Sequence, residues 1–295
     1  MRKSLKYILH KTGDWTVNIL FAICMFCVIA VFLIIFVFSS FKIPSNSMEP
    51  ALVTGDNILV CKTIIGPRLF DVTKFLENKQ TDIYRLPGLR KIKRNDVLVF
   101  NFPHPHDWQK IEMDIGKYYI KRCIALPGDT LSIQNGFYRI SGVTDTIGNV
   151  AAQKRLSKRN PETLESGVLN GFPLHPDFPW TILSFGPLYI PKKGDSIPMN
   201  PENAILYRKI IEWEQHASLK TEGNTFNLDD RPLHSYTFEK NYYFMGGDRV
   251  EDSQDSRYWG FLPEEYIVGK AWIIWKSVDP YEDKFRWKRF LKMIN

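Results

Sequence analysis

Cysteine is scarce in this 295-residue chain: there are four. Cys24 and Cys27 lie inside an apolar run and cannot join a conventional disulfide framework. Cys61 and Cys123 stand alone, and a bridge between them requires Cα atoms within ~7 Å. No Cys-x-x-Cys pair is matched by a second pair or by a His spacing, which argues against structural zinc. None of the six His falls in a catalytic pattern. The formal charge of +7 comes without a long Lys/Arg block or a nucleic-acid motif, so an anionic membrane surface suits it better than nucleic acid. Internal repeats and low-complexity segments are absent, and there is only one long hydrophobic run.

That run, Ile19 to Phe38, carries no charge and is long enough to cross a bilayer core at ~1.5 Å per residue. Arg2, Lys3, Lys6 and Lys11 precede it, and only Lys42 follows closely. The positive-inside rule places the amino terminus in the cytoplasm and the remainder outside. The competing reading is a cleaved signal peptide with Val37 and Ser39 as a small-residue pattern. The run exceeds the ~7–15 residues of such a segment, which favours a retained anchor.

Downstream, β patterns dominate. Strands are expected over Asn57–Cys61, Asp96–Phe102, Lys117–Ala125, Asn241–Met245 and Tyr266–Trp275, with a short helix near Val72–Glu77. Pro127-Gly128 suits a type II turn, and Asn135-Gly136 a hairpin between Leu131 and Ile140. The stretch from Val143 to Glu239 is richer in Pro, Asn and charge and reads as an inserted α+β cap. Within it a helix is expected after the cap Asn200, with Pro201 in its first turn and Leu206, Ile210 and Trp213 on one face. The fold class is therefore mainly β. The expected organisation is a cytoplasmic segment (1–18), an anchor (19–38), a β core in two parts (41–142 and 240–283) around a cap (143–239), and a basic tail (284–295). In that tail Trp287, Phe290, Leu291 and Ile294 have helical spacing. It is expected to form a helix that either packs on the core or lies in the membrane interface.

Three stretches carry chemistry. Ser47 lies in Pro44-Ser45-Asn46-Ser47-Met48-Glu49-Pro50, where the bland reading is a turn serine bonding its own backbone. Lys121 lies in a strand and shares a face with Tyr119, Cys123 and Ala125, while Arg122 points away. Apolar surroundings lower a lysine's pKa and make a neutral amine available as a base. An edge lysine extending to solvent is the alternative. Gly246 to Pro263 is a loop dense in Gly, Asp and Ser. Its Asp248, Asp252 and Asp255 are oxygen donors, yet the EF-hand spacing and terminal Glu are missing. Its Ser and Asp are suited to orienting a lysine.

Together these stretches resemble bacterial type I signal peptidase. Ser-x-Ser-Met-x-Pro is matched at Ser45 to Pro50, with Gly55-Asp56 beyond it. Asp-Val-x-Val-Phe is matched at Asp96 to Phe100. Tyr119-Ile120-Lys121-Arg122 is followed by Pro127-Gly128-Asp129, and Ser253 to Gly260 matches Ser-x-Asp-Ser-Arg-Tyr-Trp-Gly. The resemblance implies a Ser47 nucleophile and a Lys121 general base. It implies an oxyanion hole from the Ser47 N–H and the Ser45 hydroxyl, and Ser253 orienting the Lys121 amine. Asp255 and Arg257 would pair to hold the loop. Ile43, Met48, Leu52, Tyr119 and Ile120 would line shallow pockets for small side chains at P1 and P3. No metal or cofactor is implied. The implied partners are precursors bearing signal peptides and the lipid bilayer, at the bacterial cytoplasmic membrane. The chain departs from the family at Gly247-Asp248-Arg249-Val250, where many relatives have Gly-Asp-Asn-Arg. It also has Asn95 where Gly is common, and one span where many proteobacterial relatives have two. Competing readings are a narrower relative maturing one cargo, a self-cleaving repressor-type protein, and an inactive relative that binds. The anchor, with no DNA-binding domain, argues against the repressor, and the presence of both Ser47 and Lys121 argues against the inactive relative.

Overall fold

The apolar run leads directly into the sheet. The computed structural model describes residues 2–70 and 83–294, and of residues 2–14 and Ser166 the backbone alone. The helix expected near Val72–Glu77 lies outside the described residues. A helix spans Arg2–Phe32, widens into a π turn over Leu33–Val37, and becomes the strand Phe38–Lys42 with no intervening linker. Trp15–Val37 is long and apolar enough to cross a membrane, with a mean hydropathy of 3.3 and no burial against the rest of the protein. The Phe38 N–H bonds the carbonyl of Leu33, and Phe38 itself pairs with Cys61 in the sheet.

Among the described residues the main sheet has eight strands. Its spatial order is Phe38–Lys42, Asp56–Cys61, Ile267–Ser277, Val97–Asn101, Tyr118–Ala125, Tyr242–Gly246 and Leu262–Pro263, with Lys292–Met293 also paired to the Ile267 strand. All pairings are antiparallel. Val97–Asn101 is buried at every position because both faces of the sheet are covered. Leu98 and Phe100 enter the larger core, whereas Val97 and Val99 enter a smaller one with Ile43, Met48, Leu52, Ile58 and Val60. Register shifts recur along Ile267–Ser277. Such bulges bend a strand and increase its twist, which curls the sheet. At Gly269 a Cβ would stand 2.8 Å from the Cys61 carbonyl, so the crossing requires glycine.

The expected turns are present. Gly128 has φ 91° in a turn closed by Asp129 N–H to the Leu126 carbonyl at 3.0 Å. Asn135 and Gly136 have φ 50° and 77°, the left-handed pair of a type I′ hairpin. The helix Pro201–Gln215 is capped by Asn200, whose side chain accepts from Asn203 N–H at 2.7 Å. Its Leu206 and Ile210 are buried, and Trp213 meets the rings of Tyr242 and Tyr266 edge-on.

The segment 143–239 has no core of its own. Its Phe185, Leu188, Leu206 and Ile210 share one cluster with Phe100 and Phe244 of the main sheet. Its strand Ser184–Tyr189 pairs with Thr130–Gln134, which precedes it. The expected cap is thus built onto a hairpin of the catalytic part.

The tail is not the amphipathic helix that its spacing suggested. It has one 3-10 turn at Trp287–Arg289 and then pairs with the sheet through Lys292–Met293. Ile294 is buried in the smaller core, while Trp287 is exposed. The reason lies in its arginines. Arg289 binds the fully buried Asp56 carboxylate at 2.6 Å and donates to the Ala51 carbonyl at 2.9 Å. Arg286 binds Asp279 at 2.7 Å and the Thr54 carbonyl at 2.8 Å. A helix would pull Arg289 away from the buried Asp56 carboxylate. Removing one partner of a buried pair leaves an uncompensated charge. Arg289→Met should therefore lower stability by about 3 kcal/mol, whereas Lys288→Ala on the exposed side should change it by less than ~0.5 kcal/mol. Thermal unfolding of the detergent-solubilised chain measures both, and equal Tm values for the two variants would contradict the brace.

Candidate active site

Ser47 sits on a turn that the smaller core holds from below. The chain leaves the strand Phe38–Lys42 and remains tied to the sheet by Ile43 N–H to the Asp56 carbonyl at 2.8 Å. It then turns through Glu49 N–H to Asn46 and Leu52 N–H to Met48, each at 2.9 Å. Met48 and Leu52 are buried, which leaves Ser47 half-buried on the upper side. Lys121 approaches from the strand Tyr118–Ala125, where it is opposite Leu98. Its Nζ donates to Ser47 Oγ at 2.7 Å and stands 5.5 Å from the centre of the Tyr119 ring.

Lys121 is only 5% exposed. Burial, the largest influence, brings its pKa down to about 8, against the opposing pull of Asp255 and with the help of Arg257. The two last-named groups form a fork-to-fork pair at 2.8 Å on both arms, with both side chains buried. Burial works against the charge of each, and their mutual attraction outweighs it. Asp255 is held below the usual carboxylate range and Arg257 above the usual guanidinium range. Asp255 also accepts from Gly247 N–H at 2.8 Å, and Arg257 donates to the Val250 carbonyl at 2.7 Å. The pair thereby closes the loop on itself.

Ser253 is buried beside this pair. Its Oγ has no hydrogen-bond partner among the described residues, so the bond to Lys121 implied by resemblance is not formed in this arrangement, and the Lys121 amine pairs with the Ser47 hydroxyl instead. The Ser253 side chain presses on Gly247. A Cβ at that glycine would lie 2.0 Å from Ser253 Oγ and 2.7 Å from the Ser47 carbonyl. Gly247 was not singled out in the sequence, although its Gly-Gly-Asp setting was the available signal.

The departures from the family pattern have local explanations. Asn95 has φ 69°, a conformation that Asn tolerates better than most residues. Its side chain also bonds the Thr146 carbonyl and Gly148 N–H, each at 2.8 Å. Arg249 N–H donates to the Ser47 carbonyl at 3.0 Å, and its guanidinium lies 3.5 Å from both Glu49 and Asp252. Arg122 points away from Lys121 and grips Asp248 at 2.6 and 2.7 Å. Each carboxylate weighed as a calcium ligand thus faces an arginine.

A groove of about 620 Å³ opens over Ser47 and Lys121. One wall is Phe41 to Met48 and the other Tyr118 to Lys121, with Asp252 and Gln254 at one side. Ser45, exposed, and Ser47 both line it. Ile43, Met48, Tyr119 and Ile120 contribute to its walls. Leu52 does not: it is fully buried in the core beneath, because the turn places it one helical step below Met48. Tyr119 donates to Gln254 Oε1 at 2.7 Å, a contact that the sequence did not reveal.

Known proteins are similar to this chain in sequence. The sequence profile described as "Signal peptidase, peptidase S26" matches residues 16–276. A signal peptidase I of Buchnera aphidicola from Acyrthosiphon pisum is 30% identical over 268 residues, covering 87% of this chain and 74% of the relative. That of the Schizaphis graminum strain is 31% identical over 259 residues, covering 85% and 72%. A crystal structure of a signal peptidase I from Enterococcus faecalis is 20% identical, with a TM-score of 0.30 over 62% of this chain and 98% of that one. With a family profile that spans both sequence stretches bearing Ser47 and Lys121, this chain belongs to the signal peptidase family, peptidase S26.

Proposed function

We propose that this protein is a membrane-anchored serine endopeptidase that removes signal peptides from exported precursors. The observation that carries this reading is the 2.7 Å hydrogen bond between Lys121 Nζ and Ser47 Oγ, made by an amine with a pKa near 8. The neutral amine takes the hydroxyl proton as Ser47 Oγ attacks the scissile carbonyl, and the resulting ammonium returns a proton to the leaving amine. Water then attacks the acyl-enzyme with the same lysine as base. The Ser47 N–H and the Ser45 hydroxyl are the donors proposed for the oxyanion.

Two strand edges flank the groove, which suits an extended peptide added by main-chain pairing. Ile43, Met48, Tyr119 and Ile120 supply apolar walls, consistent with small side chains such as Ala at P1 and P3. Loss of the alternative, a binding-only relative, would follow from cleavage itself: the purified protein should cut a model precursor with Ala-x-Ala before the junction.

The charge asymmetry around Trp15–Val37 supports a cytoplasmic amino terminus and an extracytoplasmic groove at the bacterial cytoplasmic membrane. Exposed Trp272, Trp275, Trp287 and Phe290 support contact with the lipid interface. Protease added to the outside of spheroplasts should digest the region beyond residue 42, and protection of that region would reverse the topology.

Ser47→Ala and Lys121→Ala should each lower kcat by at least ~10⁴-fold, and the double variant should lose little more, since the two groups act as a unit. Lys121→Arg should fail equally, because a guanidinium stays protonated. Steady-state cleavage of the model precursor measures this, and turnover near wild type in any of the three would remove Lys121 or Ser47 from the chemistry.

The rate should rise with pH through about 8 as Lys121 loses its proton. Arg257→Gln leaves Asp255 uncompensated and should move that rise to higher pH. Stability has a matching dependence. Lys121 binds its proton more weakly folded than unfolded, so its burial costs about 3 kcal/mol below pH 8. That cost falls away as pH rises from about 8 towards the ordinary lysine value of 10.5. A flat pH–rate profile would contradict the base assignment.

A further inference from the structure

The end of the membrane helix poses a problem of backbone accounting. The last carbonyls of a helix have no partner within it, and near hydrocarbon such groups are costly. Here three of them are taken by one residue. Lys62 Nζ donates to the carbonyls of Ile34 and Ile35 at 2.9 Å each. Its backbone N–H donates to the carbonyl of Val37 at 2.8 Å. The ammonium also lies at the negative end of the helix dipole. Lys62 follows the strand Asp56–Cys61, and its neighbour Cys61 pairs with Phe38, the first residue after the π turn. Two more contacts tie the same junction to the sheet. The Phe38 ring stacks on Trp272 at 5.8 Å and 12°, and Trp275 Nε1 donates to Ser40 Oγ at 2.8 Å. Five residues beyond Lys42 is Ser47.

We propose that Lys62 is a positioning residue that locks the membrane helix to the catalytic sheet, so that the helix sets the height and tilt of the Ser47 groove over the bilayer. The inference rests on the peptidase reading. A flexible tether would let the groove sample many depths. A helix continued into a paired strand and clasped by a charged side chain presents the groove at one depth, where the junction of a membrane-embedded precursor emerges. Lys62 acts through the helix carbonyls and touches no substrate.

The test uses the full chain in proteoliposomes of zwitterionic lipid, with Lys62→Met and Lys62→Arg. Two substrates share one cleavage site: a precursor whose apolar segment sits in the same bilayer, and a short soluble peptide. Lys62→Met should lower kcat/KM for the embedded precursor by about tenfold, the scale of a lost charged hydrogen-bond contact, and leave the soluble peptide unchanged. Hydrogen exchange should quicken at the amides of Phe38 and Lys62. Lys62→Arg, which can still donate to two carbonyls, should restore both. Wild-type processing of the embedded precursor by Lys62→Met would overturn the lock, as would equal losses on both substrates. A defect that appears only when anionic lipid is added would assign Lys62 to headgroups instead. If the wild type cleaves neither substrate, the peptidase reading fails, and the exchange rates alone decide the lock.

Discussion

The structure depends on taking the Lys121 amine out of water beside a buried ion pair. Burial lowers the amine's pKa, but a bare carboxylate nearby would raise it again. Asp255 is a nearby carboxylate that pulls the amine's pKa upward, and its partner Arg257 opposes that pull. The pair also serves mechanically. Asp255 fastens Gly247, Arg257 fastens Val250, and the loop so closed presents Gly247 and Arg249 to the carbonyl of Ser47. One buried ion pair thereby acts on the Lys121 amine and supports the turn that carries Ser47.

The rest of the fold makes that burial possible while leaving a groove open. The main sheet is covered on both faces, by the larger core on one side and the smaller on the other. Ser47 rides on the smaller core through Met48, and Lys121 is held in a strand between Val97–Asn101 and Tyr242–Gly246. The strand Tyr242–Gly246 pairs only with the distal part of the lysine strand, at Arg122, Cys123 and Ala125. The proximal residues Tyr118 to Lys121 are left as a wall of the groove. The same sheet receives the long apolar helix without a spacer, so the strand that leads to the Ser47 turn continues directly from that helix.

The tail and the segment 143–239 show how buried polar partners override local pattern. Helical spacing in the tail gives way to an extended arm because Asp56, fully buried, needs Arg289. The segment 143–239 looks foreign by composition, yet its strand Ser184–Tyr189 and helix Pro201–Gln215 complete the larger core. Asn95 and Arg249, both departures from the family pattern, likewise find backbone partners that hold their loops.

The sequence by itself determined the features that arise from neighbouring residues. Uniform apolarity determined the membrane helix, alternation determined the strands, and Asn135-Gly136 and Pro127-Gly128 determined their turns, because each follows from local backbone preference. The motifs around Ser47, Lys121 and Ser253–Arg257 carried the family resemblance that makes Ser47 and Lys121 the candidate reacting groups. Only the tertiary structure decided how those groups meet. It directed Lys121 to Ser47 rather than to Ser253, placed Leu52 beneath the groove instead of on its wall, made Gly247 obligatory and joined Tyr119 to Gln254. These outcomes depend on contacts between segments far apart in the chain, such as Arg249 with Ser47, and no local pattern encodes the distance between two side chains brought together by a curled sheet.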